Sequence, residues 1–141
     1  MKLTRSAGYA LVAVGHIARE GQSKPILAKT VAKQYKIPLD YLLKILQQLV
    51  RADILNSIRG PRGGFLLARP TSKISVLHII EAVDGPFISD PVLCSSKSDN
   101  NFNRRLAAVY QQASRQAAQI LTQATMAGLA PAGKKTKKTR R

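Results

Sequence analysis

A glycine-rich segment at residues 59–65, "RGPRGGF", restricts the possible fold more than any other part of the sequence. It lies between two short apolar runs, "ILNSI" and "FLLA". Glycine permits positive φ and close backbone approach, and Pro61 stiffens the chain, so the segment predicts a tight hairpin that carries Arg59 and Arg62 at its tip. A plain turn with two solubilising arginines is the alternative interpretation.

Three helices are predicted before this hairpin. Thr4 can cap a helix that runs to about Glu20, and a short second helix is predicted at residues 27–35. Pro38 ends that segment, because the residue before a proline disfavours helical geometry. A third helix follows at residues 38–52. A helix, a three-residue break and an amphipathic helix have helix-turn-helix spacing, so the hairpin that comes next is predicted to be a wing at residues 59–64.

The third predicted helix has two contrasting faces at about 100° per residue. The apolar side consists of Leu39, Leu42, Leu43, Leu46, Leu49 and Val50, and the polar side consists of Tyr41, Lys44, Gln48 and Arg51 with Asp40 and Gln47 beside them. Lysine and arginine can donate to guanine, glutamine can pair with adenine, and tyrosine can reach a phosphate or a thymine methyl group. The polar side therefore predicts a DNA-reading surface, with an ordinary solvated face as the alternative.

The charge is large and unevenly distributed. The chain of 141 residues has 23 Lys and Arg against 7 Asp and Glu, a formal net charge of +16. Residues 1–73 hold 13 basic and 3 acidic side chains, residues 74–130 hold four of each, and residues 131–141 hold six basic side chains. Such an excess indicates a polyanionic partner. No apolar run approaches the roughly 20 residues that cross a bilayer, so we predict a soluble, cytoplasmic protein without a membrane partner.

The second half predicts dimerisation. Ser75 can cap a short helix, residues 86–100 suggest a loop, and a long helix is expected at residues 101–126. An apolar seam follows this long helix at spacings of three and four residues: Phe102, Leu106, Val109, Ala113, Ala117, Ile120, Ala124 and Ala127. The sequence thus predicts a mainly α protein with a small β-hairpin: a winged helix-turn-helix domain at residues 1–73, dimerisation helices with a loop at residues 74–130, and a disordered basic tail at residues 131–141.

Four segments together are similar to one known family: "MKLTRSAGYALVAV", "IPLDYLLKILQQL", "IRGPRGGFLLAR" and "ISVLHIIEAVDG". They resemble the Rrf-type winged helix-turn-helix regulators, the family that includes IscR, NsrR and CymR. The likeness is nearly collinear over residues 1–85, whereas residues 86–130 match only in layout. The resemblance implies a homodimeric bacterial transcription factor, usually a repressor, with Leu39, Asp40, Tyr41 and Lys44 at the reading surface and Arg59 and Gly60 at the wing.

The same resemblance raises the question of a cofactor. Cluster-binding relatives carry three cysteines in the sensor loop and a fourth ligand elsewhere, whereas this chain has Cys94 alone. Gly8 also stands where nitric-oxide-sensing relatives have a carboxylate ligand. An iron-sulfur cluster needs about four protein ligands, mostly thiolates, so we expect neither a cluster nor another metal. Cys94 is then either an inert residue or a redox sensor, and both interpretations stay open.

The leading hypothesis is a dimeric, sequence-specific regulator that binds double-stranded DNA at a pseudo-palindromic operator. Specificity would come from Tyr41, Lys44, Gln47 and Gln48, and positioning from Lys2, Arg5, Arg51, Arg59 and Arg62. The alternative is a general basic nucleic-acid or ribosome-associated protein without sequence preference. A protein or small-molecule effector is a further candidate partner. We do not expect an enzyme, because the only histidines, His16 and His78, lie in apolar helical patterns and no catalytic constellation is evident.

Overall fold

The computed structural model describes residues 2–21, 23–88 and 100–131. These residues form α1 (Arg5–Glu20), α2 (Ala28–Tyr35), α3 (Leu39–Arg51), β1 (Leu55–Ile58), β2 (Gly64–Leu67), α4 (Val76–Asp84), α5 (Asn100–Gln123) and α6 (Met126–Leu129), with one 3-10 turn at Thr71–Lys73 before α4. The predicted fold class, mainly helical with a two-stranded hairpin and a long C-terminal helix, is confirmed.

Helix α1 begins and ends as predicted. The Thr4 hydroxyl accepts a hydrogen bond from the Ala7 N–H at 3.0 Å, and the Gly21 N–H donates to the Ile17 carbonyl at 2.8 Å. The buried side of this helix consists largely of alanines with no solvent exposure, Ala7 and Ala10 among them. Such small side chains let neighbouring elements pack close to the α1 backbone.

Helix α3 buries one face and exposes the other. Its buried residues are Leu42, Ile45, Leu46 and Leu49. Leu39 was expected on this apolar face, but it is 36% exposed, and the prediction overlooked Ile45. The reason is angular: at about 100° per residue the buried face is centred between Leu42 and Leu49, and Leu39 lies on its flank at the first turn.

The hairpin pairs β1 with β2 in antiparallel register, with Leu55 opposite Leu67 and Ile58 opposite Gly64. A further pairing was not predicted. The Ile26 N–H donates to the Phe65 carbonyl at 2.9 Å, and the Phe65 N–H donates to the Ile26 carbonyl at 2.8 Å. The segment between α1 and α2 therefore fixes the base of the wing.

The predicted end of the long helix is wrong. Helix α5 ends at Gln123, not at Met126, and the chain then pairs with the start of α4. The Ala124 carbonyl accepts from the Val76 N–H at 2.9 Å, and the Met126 N–H donates to the Ile74 carbonyl at 2.8 Å. These bonds replace the helical ones, and Met126 gains burial, with 3% exposure. The last two members of the predicted seam, Ala124 and Ala127, thus lie beyond α5.

One hydrophobic core joins the N-terminal helices, the hairpin and the returning chain. It includes Ile17, Leu46, Leu55, Ile79 and Met126. The core therefore contains residues from both sides of the predicted boundary between residues 73 and 74. Most of the predicted loop at residues 86–100, including Cys94, and residues 132–141 of the predicted tail lie outside the described residues.

Candidate nucleic-acid interface

The outer face of α3 carries the side chains that the sequence assigned to DNA reading. Asp40, Tyr41, Lys44, Gln47 and Arg51 are exposed, and Gln48 is half-buried. The face follows from the amphipathic pattern, since the leucines on the other side occupy the core. Donors and acceptors of several kinds are thus presented outward on one rigid helix.

Two depressions border this face. The first measures about 330 Å³ and is lined by Ser6, Tyr41, Lys44, Ile45, Gln47, Gln48 and Arg51. The second measures about 280 Å³ and is lined by Leu43, Gln47, Val50, Arg51, Ser57 and Phe65. Gln47 and Arg51 line both, so they lie between the first turns of α1 on one side and the hairpin on the other.

Tyr41 is held from the side of α1. Its hydroxyl group and that of Ser6 share a hydrogen bond, and its ring packs edge-on against the Tyr9 ring, with centroids 5.7 Å apart and an interplanar angle of 85°. Neither Ser6 nor Tyr9 was predicted to belong to the site. They lie three residues apart on one side of α1, which is the spacing of neighbours on a helix surface.

The tip of the wing exposes Arg59, Gly60 and Arg62, as predicted. Gly60 has a φ of 110°, which residues with a side chain rarely adopt. A Cβ atom at Gly63 would lie 2.2 Å from the Ile58 carbonyl oxygen, closer than any packing allows. Glycine at these two positions therefore makes the narrow tip possible and leaves the arginines at its outer edge.

Arg69 connects the chain after β2 to the end of α3, a role that the sequence analysis missed. Its guanidinium group donates to the Asp53 carbonyl at 2.9 Å and to the Ala52 carbonyl at 3.1 Å, directly after α3. A cation is favourable at the C-terminal end of a helix, where backbone carbonyls lack partners. The signal for it was weak, because one arginine after a strand resembles any other basic residue.

The basic side chains of the first 73 residues are almost all accessible. Twelve of the thirteen are exposed, and the exception is the half-buried Arg69. Arg5 is exposed at the start of α1, whereas Lys2 lines a cleft of about 460 Å³ together with Asp84 of α4, Phe87 after α4 and Leu121 of α5. Lys2 does not line either of the depressions beside α3.

Both histidines make hydrogen-bond contacts that stabilise the fold. His16 is buried, and its Nδ1 atom lies 3.1 Å from the Tyr35 hydroxyl, to which Arg19 also donates at 3.1 Å. Burial lowers the pKa of His16, Glu20 acts to raise it, and Arg19 acts to lower it further. His78 accepts a hydrogen bond from the Ser75 N–H at 3.3 Å and completes a capping box at the start of α4.

Comparison with known proteins identifies the family. Residues 3–132 match the family model Rrf2, described as an iron-dependent transcriptional regulator. The chain belongs to the Rrf2 family. This assignment confirms the resemblance seen in the sequence, and it agrees with the winged helix-turn-helix arrangement of α2, α3 and the hairpin.

Individual proteins and a solved structure are also similar to this chain. A Neisseria meningitidis protein assigned as an HTH-type transcriptional regulator is 31% identical over 99 residues, which cover 70% of this chain and 66% of that one. IscR of Xenorhabdus nematophila is 34% identical over 84 residues, which cover 60% of this chain and 51% of that one. The structure of CymR, the global cysteine regulator of B. subtilis, has a TM-score of 0.78 at 24% identity and covers 92% of this chain and 96% of that one.

The matched segments span only about two thirds of the Neisseria relative and half of the IscR relative. The likeness to CymR, at its low identity, concerns the fold alone. Family membership is therefore established by the match over residues 3–132, whereas the activity and partners of this particular chain have to be argued from its own residues.

The description of the Rrf2 family as iron-dependent invites a test of the ligands present. The chain has a single cysteine, so a dimer would supply two thiolates, fewer than an iron-sulfur cluster held by cysteines requires. Within residues 2–21, 23–88 and 100–131, no three His, Cys, Asp or Glu side chains are grouped closely enough to hold a metal ion. These residues do not fit a cluster of the usual thiolate type.

Among the described helices, none is both long enough and apolar enough to cross a membrane.

Proposed function

We propose that the protein is a sequence-specific, DNA-binding transcriptional regulator that binds a pseudo-palindromic operator as a homodimer and acts as a repressor. The observation that carries this proposal is the outward polar face of α3 beside a narrow wing tipped by Arg59 and Arg62. Both belong to a segment with ten more basic than acidic side chains, which favours a polyanionic partner.

In this proposal α3 enters the major groove and the wing contacts the minor groove. Lys44, Gln47 and Gln48 would read base edges, because their amine and amide groups match the donors and acceptors of guanine and adenine. The remaining predicted contacts, Leu39, Asp40, Tyr41, Arg5, Arg51, Arg59, Gly60 and Arg62, would surround them. Lys2 receives the least support, since it lies beside α4 and α5.

Dimerisation is proposed from α5. Phe102, Val109 and Ile120 belong to the apolar seam and are 59%, 63% and 67% exposed. Apolar side chains arranged in a continuous patch commonly mark a protein interface. Two copies joined in this way would present two α3 helices to half-sites spaced by about one helical turn of DNA, roughly 34 Å, or a small multiple of it.

The first experiment is a selection of genomic fragments by the purified protein at about 0.15 M salt, where non-specific binding is weak. We expect enrichment of one pseudo-palindromic site. Uniform recovery of unrelated fragments would instead favour the alternative of a general basic nucleic-acid or ribosome-associated protein, for which the net charge of +16 is sufficient. Repeating the selection with oxidised and reduced protein distinguishes the inert interpretation of Cys94 from the redox-sensor interpretation.

The wing is tested by Arg59→Ala and Arg62→Ala. We expect each to weaken operator binding by about 1–3 kcal/mol and to reduce the slope of log affinity against log salt by about one. Lys73→Ala is the matched control, because Lys73 is an exposed basic residue on the turn before α4 and lies outside the predicted site. Unchanged operator affinity in both arginine variants at matched salt would exclude the wing from binding.

The relatives are transcriptional regulators, and we propose that this chain likewise acts in the cytoplasm by binding and not as an enzyme. We also propose the predicted division of labour, with residues 1–73 binding DNA, residues 74–130 forming the dimer and residues 131–141 adding attraction to phosphates.

The cleft of about 460 Å³ beside α4 and α5 is a candidate site for a small-molecule effector, because its size is typical of ligand sites. NMR shifts of the Ile80 and Leu121 methyl groups on addition of candidate ligands would test this; their absence with every candidate would argue against the cleft.

A further inference from the structure

Tyr41, on the outer α3 face, makes two contacts with α1. Its hydroxyl shares a hydrogen bond with that of Ser6, and its ring meets the edge of the Tyr9 ring at a centroid distance of 5.7 Å. Tyr41 nevertheless remains 39% exposed. The ring is therefore supported from within the protein while part of it stays available to a ligand.

The first turn of α1, which contains Ser6, is itself held in place by hydrogen bonds. The Thr4 hydroxyl accepts from the Ala7 N–H at 3.0 Å and donates to the Asp84 carboxylate, with oxygen distances of 2.7 and 3.0 Å. Thr4 thereby fixes the first turn of α1 to the end of α4. Ser6 lies within this anchored turn, so the hydroxyl that meets Tyr41 has a defined position.

The first depression beside α3 brings Ser6 and Tyr41 together with the side chains that are proposed to contact DNA. Ser6 and Tyr41 line it together with the cationic side chains Lys44 and Arg51 and the amides of Gln47 and Gln48. A tyrosine held in one orientation loses little conformational entropy when DNA binds, and it restricts the space in which the neighbouring reading side chains can move.

We propose that Ser6 and Tyr9 are positioning residues for operator recognition, which hold Tyr41 in the orientation that the reading surface needs. This inference rests on the proposed DNA-binding function. Ser6 acts through the Tyr41 hydroxyl, and Tyr9 acts through the Tyr41 ring. Neither side chain carries a charge, so their contribution is to sequence-specific binding and not to the general attraction between protein and DNA.

The test is a double-mutant cycle on operator affinity, with Ser6→Ala, Tyr41→Phe and the double variant. Because one hydrogen bond is involved, we expect Ser6→Ala to weaken operator binding by about two- to tenfold. In the Tyr41→Phe background the same change should have no further effect, and Ser6→Thr should retain binding because it keeps the hydroxyl. Tyr9→Leu should weaken operator binding by a similar factor, since edge-to-face ring pairs have comparable energies.

Binding to a random duplex is measured in parallel and should stay unchanged in Ser6→Ala, Ser6→Thr and Tyr9→Leu. A loss that is equally large in the Tyr41→Phe background, or equally large on random DNA, would overturn the positioning role. Wild-type operator affinity in both Ser6→Ala and Tyr9→Leu would also overturn it, while leaving the proposed function intact. A wild-type protein without any preferred site would overturn the proposed function and this inference together.

Discussion

Helices α3 and α5 are both amphipathic, but only α3 buries its apolar face within its own chain. Leu42 and Leu49 have no solvent exposure, and Leu46 is 1% exposed. On α5, by contrast, Phe102, Val109 and Ile120 are more than half exposed. The same kind of sequence pattern therefore leads to two different results, depending on what the rest of the chain packs against each helix.

This difference separates two kinds of interface. The centre of the apolar face of α3 is buried in the core, so its polar face is what remains for a partner, and its side chains suit nucleic acid. The apolar seam of α5 is not used in folding, so the remaining interaction is hydrophobic and suits a second copy of the chain. The difference between the two helices predicts that substitutions on the apolar face of α3 lower stability, whereas substitutions in the seam of α5 impair dimerisation.

The largest expected effect comes from Val109→Asp. A carboxylate in the exposed seam would have to be buried unpaired in a dimer, so we expect dissociation to monomers in analytical ultracentrifugation. Operator affinity should then fall by about 10²–10⁴, because the second half-site contact is no longer intramolecular. Gln119→Asp introduces the same charge on an exposed position of α5 outside the seam and should preserve the dimer. A dimeric Val109→Asp variant with normal operator binding would contradict the assignment of the α5 seam to the dimer interface.

The second prediction makes the same substitution, leucine to alanine, on the apolar face of α3 and in the seam of α5. Leu46→Ala should lower the free energy of unfolding by about 2–5 kcal/mol, since it removes a fully buried side chain. Leu106→Ala removes the same atoms from a residue that is 41% exposed in the chain. In urea unfolding at low protein concentration its loss should be much smaller. Equal losses in the dissociated protein would contradict the assignment of only one of these faces to the core.

Much of the fold could be predicted because it depends on local patterns. Thr4 and Gly21 mark the ends of α1, and the spacing of leucines reveals the buried face of α3. The parts that were missed depend on distant residues. The Ile26–Phe65 pairing and the return of the chain at Met126 rest on a few backbone hydrogen bonds between remote segments, which leave no periodic trace.

The candidate site shows the same limit. The polar face of α3 and the arginines of the wing were predicted from spacing and composition. Ser6 and Tyr9 were not, because their relation to Tyr41 arises only when α1 packs across α3. The apolar spacing of Ala124 and Ala127 likewise continued the helical pattern beyond Gln123, since periodicity does not register a competing backbone partner.

The smallest expected effect is a dependence of stability on pH. It arises in the N-terminal helices that pack against α3, and α5 is not involved. Burial lowers the pKa of His16 below its ordinary value of 6.5, so the unfolded chain binds a proton more readily than the folded one. Stability is then full above about pH 6.5 and decreases as the pH falls toward the lowered pKa. Urea unfolding at about pH 7.5 and about pH 5.5 should show this decrease, at less than the cost of Leu46→Ala. In His16→Gln the decrease between the two pH values should be smaller, whatever the stability at the higher pH, because the titrating group is gone. An identical decrease in both proteins would mean that groups other than His16 cause the acid sensitivity. The buried His16, in contact with Tyr35, would then not make the stability of the N-terminal helices dependent on pH.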